Sequence, residues 1–149
     1  MSGTGTPDEA PLRAEGKRLA VVAGRWHGDI VDALLEGALK ATAEAGAEAD
    51  VLRVPGAFEI PVVAARAAAS YDAVVALGVV MRGGTPHFDY VCRAVTDGCV
   101  RVSLDSGKPV GFGVLTVDDE HQARERLDKG REAVRAVLET LLTLDTIRS

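Results

Sequence analysis

At 149 residues and 15.6 kDa the chain has the length of one compact domain, enough to bury roughly 70% of the surface its unfolded form exposes; 23 alanines and 20 valines against six aromatics give it small apolar side chains, and as a monomer a thin core. A net charge of −5, from 17 basic and 22 acidic residues, leaves no electrostatic footprint for nucleic acid or an anionic membrane surface. Two cysteines cannot build a disulfide framework, and no apolar run approaches the roughly 20 residues of a membrane span or signal region, so a cytoplasmic protein is expected, with no membrane and no nucleic-acid partner.

Met1 to Gly16 mixes Gly, Pro, Thr and charge without apolar periodicity, which predicts a flexible tail or arm (residues 1–16) ahead of a single domain over residues 17–149. Arg18 to Gly24 is short, β-branched and closed by glycine, a buried strand. Asp29 is the expected cap of a helix whose apolar positions Ile30, Leu34, Ala38, Ala41 and Ala45 recur every three or four residues. Glu48 to Val54 reads as a second strand, broken by Pro55-Gly56, and Ile60 to Ser70 as a short alanine-rich helix. Asp72 to Val80 is almost uniformly apolar, as a central strand covered on both faces should be.

Thr85 is the expected cap of the next helix, with Pro86 at its first position and Phe88, Val91, Cys92, Val95, Cys99 and Val102 facing inward. Pro109 to Thr116 is a fourth strand, Asp119 to Asp128 a polar helix, and Val134, Val137, Leu138, Leu141 and Leu142 mark a last helix. Val-rich runs alternating with segments of helical period indicate an α/β fold of parallel strands joined by helices.

In such a sheet ligands bind beyond the carboxyl ends of the strands, which directs attention to the residues after each Val-rich run. Arg82-Gly83-Gly84-Thr85-Pro86-His87 is the strongest of these. It is either an ordinary strand-to-helix turn or an anion site, in which two glycines let backbone approach a ligand and first-turn N–H groups favour phosphate. The common nucleotide fingerprints GxGxxG and GxxxxGK[ST] are absent. His87 is a candidate proton shuttle or a simple surface histidine. Trp26 is placed to stack on a planar ligand or to anchor its loop. Glu59 could accept hydrogen bonds from hydroxyls or merely favour a helix start. Neither HExxH nor paired CxxC occurs, and no metal site is expected. Arg124, Arg126 and Lys129 lie in a charged run that is either a solvated face or a source of charge for phosphate.

Three stretches together carry a family resemblance: Gly24-Arg25-Trp26, Val54 to Pro61 (VPGAFEIP), and Leu77-Gly78 through Arg82-Gly83-Gly84-Thr85-Pro86-His87-Phe88-Asp89-Tyr90-Val91. In content, order and spacing they resemble the signature regions of the lumazine synthase family of riboflavin biosynthesis, over about Lys17 to Leu144. The resemblance implies condensation of 5-amino-6-ribitylamino-uracil with 3,4-dihydroxy-2-butanone 4-phosphate to 6,7-dimethyl-8-ribityllumazine, phosphate and water, without cofactor or metal. It implies a ring stacked on Trp26 and seated by Ala57 and Phe58, ribityl hydroxyls on Glu59, and Val79, Val80 and Met81 along the ring's edge. It further implies phosphate on Gly84 and Thr85, and His87 as general acid/base.

Phe112 and Arg126 match positions that the family contributes from the adjacent subunit. The implied assembly is therefore a homo-oligomer, a pentamer or a sixty-subunit shell, with active sites at subunit interfaces. Between Arg126 and Lys129 the chain is shorter than the family's usual connection. The expected architecture is a three-layer αβα sandwich with a four-stranded parallel sheet of flavodoxin-like order 2-1-3-4, extended by an N-terminal arm. An archaeal-type riboflavin synthase and a non-catalytic flavin- or lumazine-binding shell protein are the alternatives, and the Gly83-Gly84-Thr85 turn argues against both because neither needs a phosphate cradle.

Overall fold

The computed structural model describes residues 9–147. Four strands, β1 (Arg18–Gly24), β2 (Glu48–Val54), β3 (Ala73–Met81) and β4 (Val110–Val117), form one parallel sheet in the order β2-β1-β3-β4. This is the expected α/β architecture and strand order. Helices α1 (Gly28–Glu44), α2 (Ile60–Ala67), α3 (His87–Ser106), α4 (Glu120–Arg124) and α5 (Lys129–Asp145) provide the connections and the C-terminal cover.

Strand alternation divides the core in two. Leu19, Val21 and Ala23 of β1 and Ala73, Val75 and Leu77 of β3 face α1 and α5, where Val31, Leu34, Val134 and Leu138 meet them. Their neighbours Ala20, Val22, Val74 and Ala76 face α2 and α3, against Ile60, Ala64, Val95 and Cys99. Both faces being covered explains why β1 and β3 are apolar throughout instead of alternating with polar residues. Small side chains permit close layers. At Gly130, a Cβ would lie 2.0 Å from the Leu34 carbonyl oxygen, so the start of α5 sits directly on the backbone of α1.

Several helix ends differ from expectation by a residue or more. α1 is capped at His27 and not at Asp29, because the His27 carbonyl already accepts the N–H groups of Ile30 and Val31 at 3.0 Å. Asp29 instead occupies the first turn, where its charge complements the helix dipole. α3 has Pro86 as its cap, so His87 is its first residue; Thr85 Oγ1 accepts from the His87 N–H at a long 3.4 Å. Along α3, Phe88, Val95, Cys99 and Val102 are buried, whereas Val91 and Cys92 are only half-buried. The polar segment after β4 keeps just one and a half turns of helix, capped by Asp119 Oδ1 accepting from the Gln122 N–H at 2.9 Å.

The N-terminal segment 1–16 is described from residue 9 onward. There it packs on the body: Ala14 is buried, its N–H donating to the Ala45 carbonyl at 2.8 Å, and Arg131 grips Glu9.

Candidate active site

A cleft of about 580 Å³ opens at the carboxyl ends of β1, β2 and β3. β1 and β3 are neighbours whose connections leave in opposite directions across the sheet, the switch point at which open α/β sheets form ligand crevices. The volume suits a small organic ligand.

Trp26 follows β1. Its loop is tied to the end of β2 by Arg25 N–H, shared between the Val54 and Pro55 carbonyls at 2.9 and 3.1 Å, and by Trp26 N–H on the Pro55 carbonyl at 3.2 Å. The turn is completed by His27 in a left-handed conformation (φ 58°), sparsely populated for any residue with a Cβ. The indole remains 69% exposed, so it is not an anchor in the core. It lines the cleft.

Pro55-Gly56 leads into a single 3-10 turn, Ala57–Glu59, that joins β2 to α2. Glu59 turns back so that its Oε1 accepts from the Gly56 N–H at 3.1 Å, which fixes the carboxylate at the cleft wall. Ala57 is buried beneath, while Phe58 is 62% exposed and faces the opening. Val79, Val80 and Met81, the last residues of β3, form the floor; the first two are buried and Met81 is half-buried. His87, the first residue of α3, also lines the cleft and is exposed.

The cleft also includes His27, Gly56, Tyr90 and Val91. Tyr90 and Val91 stand three and four residues after His87, on the same helix face, so helical spacing contains the signal for them. Gly84 and Thr85 are exposed in the turn beside His87 and are not in the cleft wall. Phe112 and Arg126 line a different cleft, of about 300 Å³, with Thr116, Glu125, Asp128, Lys129 and Glu132. The two clefts share no residue.

The acidic and aromatic groups of the main cleft can hold a planar, hydroxyl-bearing ligand, and the imidazoles of His27 and His87 line the same cleft. Among the described residues no group of three or more His, Cys, Asp and Glu side chains is arranged to hold a metal ion, and no helix is long and apolar enough to cross a membrane.

The profile of the 6,7-dimethyl-8-ribityllumazine synthase family matches residues 16–145. The chain is 59% identical to the 6,7-dimethyl-8-ribityllumazine synthase of Frankia casuarinae, with 97% of this chain and 96% of that one covered. It is 53% identical to the enzyme of that name from Streptomyces coelicolor (99% and 97% covered) and 52% identical to that from Renibacterium salmoninarum (97% and 99% covered). With the family profile spanning nearly the whole fold and relatives matched end to end, the chain belongs to the 6,7-dimethyl-8-ribityllumazine synthase family, transferases of riboflavin biosynthesis.

Proposed function

We propose that the cleft at the carboxyl end of the sheet is where this chain condenses 5-amino-6-ribitylamino-uracil with 3,4-dihydroxy-2-butanone 4-phosphate, releasing 6,7-dimethyl-8-ribityllumazine, phosphate and water. The observation that carries the assignment of roles is the juxtaposition, in one cleft, of the exposed Trp26 and Phe58 rings, the tethered Glu59 carboxylate and His87. The pyrimidine lies on Trp26, with Ala57, Phe58 and the Val79-Val80-Met81 strand end along its edges. Glu59 Oε1 is held by Gly56, which leaves the other oxygen to accept from ribityl hydroxyls.

The phosphate of the second substrate sits on Gly84 and Thr85, before the first turn of α3. A glycine pair and the positive end of the α3 dipole favour an anion there. Amine addition to the ketone, loss of water to the imine, elimination of phosphate, tautomerisation of the resulting enol to a ketone and ring closure with loss of a second water each move protons near neutral pH, and His87, at the start of α3 beside the phosphate turn, is suited to both accept and donate them. Holding two substrates together removes much of the entropic barrier to the first bond. No cofactor takes part.

Phe112 and Arg126 complete the cleft of an adjacent subunit, the arginine on the phosphate. Their location in a separate cleft supports this, since within one chain they do not reach His87's side. The chain is therefore read as a cytoplasmic homopentamer, and exposed Val62, Val100 and Leu104 supply apolar surface for subunit contact. Incubating the purified protein with both substrates while following lumazine absorbance and phosphate release tests the reaction. Absorbance and phosphate rising together support it; neither rising overturns it. Sedimentation of the same sample gives the assembly, and a monomer would remove Phe112 and Arg126 from the site.

A further inference from the structure

Arg82 lies between the two clefts without lining either. Its backbone N–H continues the ladder to the Val117 carbonyl at 2.8 Å, so β3 and β4 end side by side. Its Nε donates to Asp118 Oδ1 at 2.8 Å, its Nη1 stands 4.0 Å from Asp89 Oδ1, and its Cζ lies 4.4 Å from the centroid of the buried Phe88 ring. Phe88 and Asp89 immediately follow His87.

From Asp118 the chain of contacts runs on into α4. The Asp118 N–H donates to Gln122 Oε1 at 2.7 Å, Gln122 Nε2 returns to Asp118 Oδ2 at 3.4 Å, and Arg126 Nη1 donates to the Gln122 carbonyl at 2.9 Å. The Arg82 hydrogen bond holds the Asp118 carboxyl below the ordinary carboxylate range, so the pair is charged at neutral pH. Both partners are half-exposed, and an ion pair of this kind adds little to global stability. Its consequence is geometric: a planar guanidinium, hydrogen-bonded at one edge and stacked on a buried ring, fixes direction as well as distance.

We propose that Arg82 and Asp118 are positioning residues that lock the His87 turn of α3 and the Arg126 segment after α4 to one another, so that one ion pair holds the Gly84-Thr85 part of its own phosphate site and the Arg126 part of the neighbouring subunit's. The inference rests on the phosphate role given above to Gly84, Thr85 and Arg126. In the assembled protein each pair aligns the imidazole of its own cleft and the arginine offered to the next.

The discriminating variant is Asp118→Asn in the full-length oligomer, with inorganic phosphate as the probe, measured by titration calorimetry. As a mere background charge, Asp118 opposes anion binding, and its neutralisation would tighten phosphate. As a positioning group its loss should weaken phosphate binding roughly three- to tenfold and lower kcat/KM for the butanone phosphate by a similar factor. KM for the pyrimidine should stay within about twofold, because the tryptophan and glutamate that bind it hang on other elements.

Arg82→Gln should weaken phosphate likewise, and the double variant Arg82→Gln/Asp118→Asn should be no worse than Arg82→Gln alone. Phosphate affinity unchanged or tighter in Asp118→Asn overturns the inference, as does full additivity in the double variant. Absence of turnover and of phosphate binding in the unaltered protein would instead overturn the functional reading on which it rests.

Discussion

Trp26 lies across Gly56 so closely that a Cβ on the glycine would stand 3.3 Å from the indole Cδ1. The glycine backbone is extended (φ −148°), a conformation open to any residue, so the constraint comes from the ring and not from the turn. Gly56→Ala should therefore fold normally but push the indole a few tenths of an ångström toward the cleft. Binding of the ribitylamino-uracil, followed by its quenching of Trp26 fluorescence, should weaken several-fold, a cost of about 1 kcal/mol. Undiminished affinity would show that the ring does not depend on this seat.

His87 and Trp26 should separate by kinetics. His87→Ala removes the proton-transfer group and should lower kcat by roughly 10²- to 10⁴-fold while phosphate still binds. Trp26→Ala removes a stacking platform worth about 1–3 kcal/mol and should raise KM for the pyrimidine with a smaller effect on kcat. Steady-state rates with each substrate varied in turn distinguish the two, and unchanged turnover in His87→Ala removes it from the mechanism.

The sheet was legible in the sequence for a simple physical reason. β1 and β2 begin and end where expected because glycine or proline bounds short β-branched runs, and β3 announces its central place by being apolar on both faces. Helix starts were less legible. A sequence offers Asp29 and Thr85 as good caps, whereas the chain begins its helices where backbone carbonyls first find partners, at His27 and Pro86. Trp26, Ala57, Phe58, Glu59, Val79 to Met81 and His87 meet in one cleft because all sit at strand ends or the first turn of α3. The separation of Phe112 and Arg126 into another cleft has no counterpart in periodicity or capping; it follows from tertiary arrangement, and the family resemblance carried the only signal for it.

Gly130 is a packing requirement far from the chemistry. A methyl there would meet the Leu34 carbonyl oxygen at 2.0 Å and the Leu34 carbonyl carbon at 2.8 Å, and neither is the end of a flexible side chain. α5 would have to move off α1. Gly130→Ala should cost about 3 kcal/mol or more in denaturant unfolding, well above the usual surface substitution. A loss under about 1 kcal/mol would mean that α5 shifts freely along α1.

The arm from residue 9 to Ala14 should release in acid. Arg131 donates from Nε and Nη2 to Glu9 at 2.9 and 2.7 Å and from Nη1 to Glu44 at 2.6 Å, and these bonds hold both carboxyls below their ordinary value of 4.5. Carboxyls with depressed folded-state values stabilise the packed arm above that ordinary value and lose the contribution as pH falls through the depressed ones; Arg131, shifted upward, stays charged throughout. The Ala14 amide should thus exchange faster below about pH 4 while core amides of β3 stay protected, with no change between about pH 5 and 8. Arg131→Gln should produce the same loosening at neutral pH.

The shared-site reading makes a quantitative prediction for mixed oligomers. If His87 acts in its own subunit's cleft and Arg126 in the neighbour's, His87→Ala and Arg126→Ala oligomers each lack one group at every site. Dissociating them, mixing them in equal amounts and reassembling them places an intact His87 beside an intact Arg126 at about a quarter of the interfaces, given random association in a ring. Activity should return to about a quarter of the wild-type value, although neither parent has it. Were both residues used within one chain, every site would still carry one defect and mixing would restore nothing. Arg126 occupies a cleft with no residue in common with that of His87, which favours recovery as the outcome.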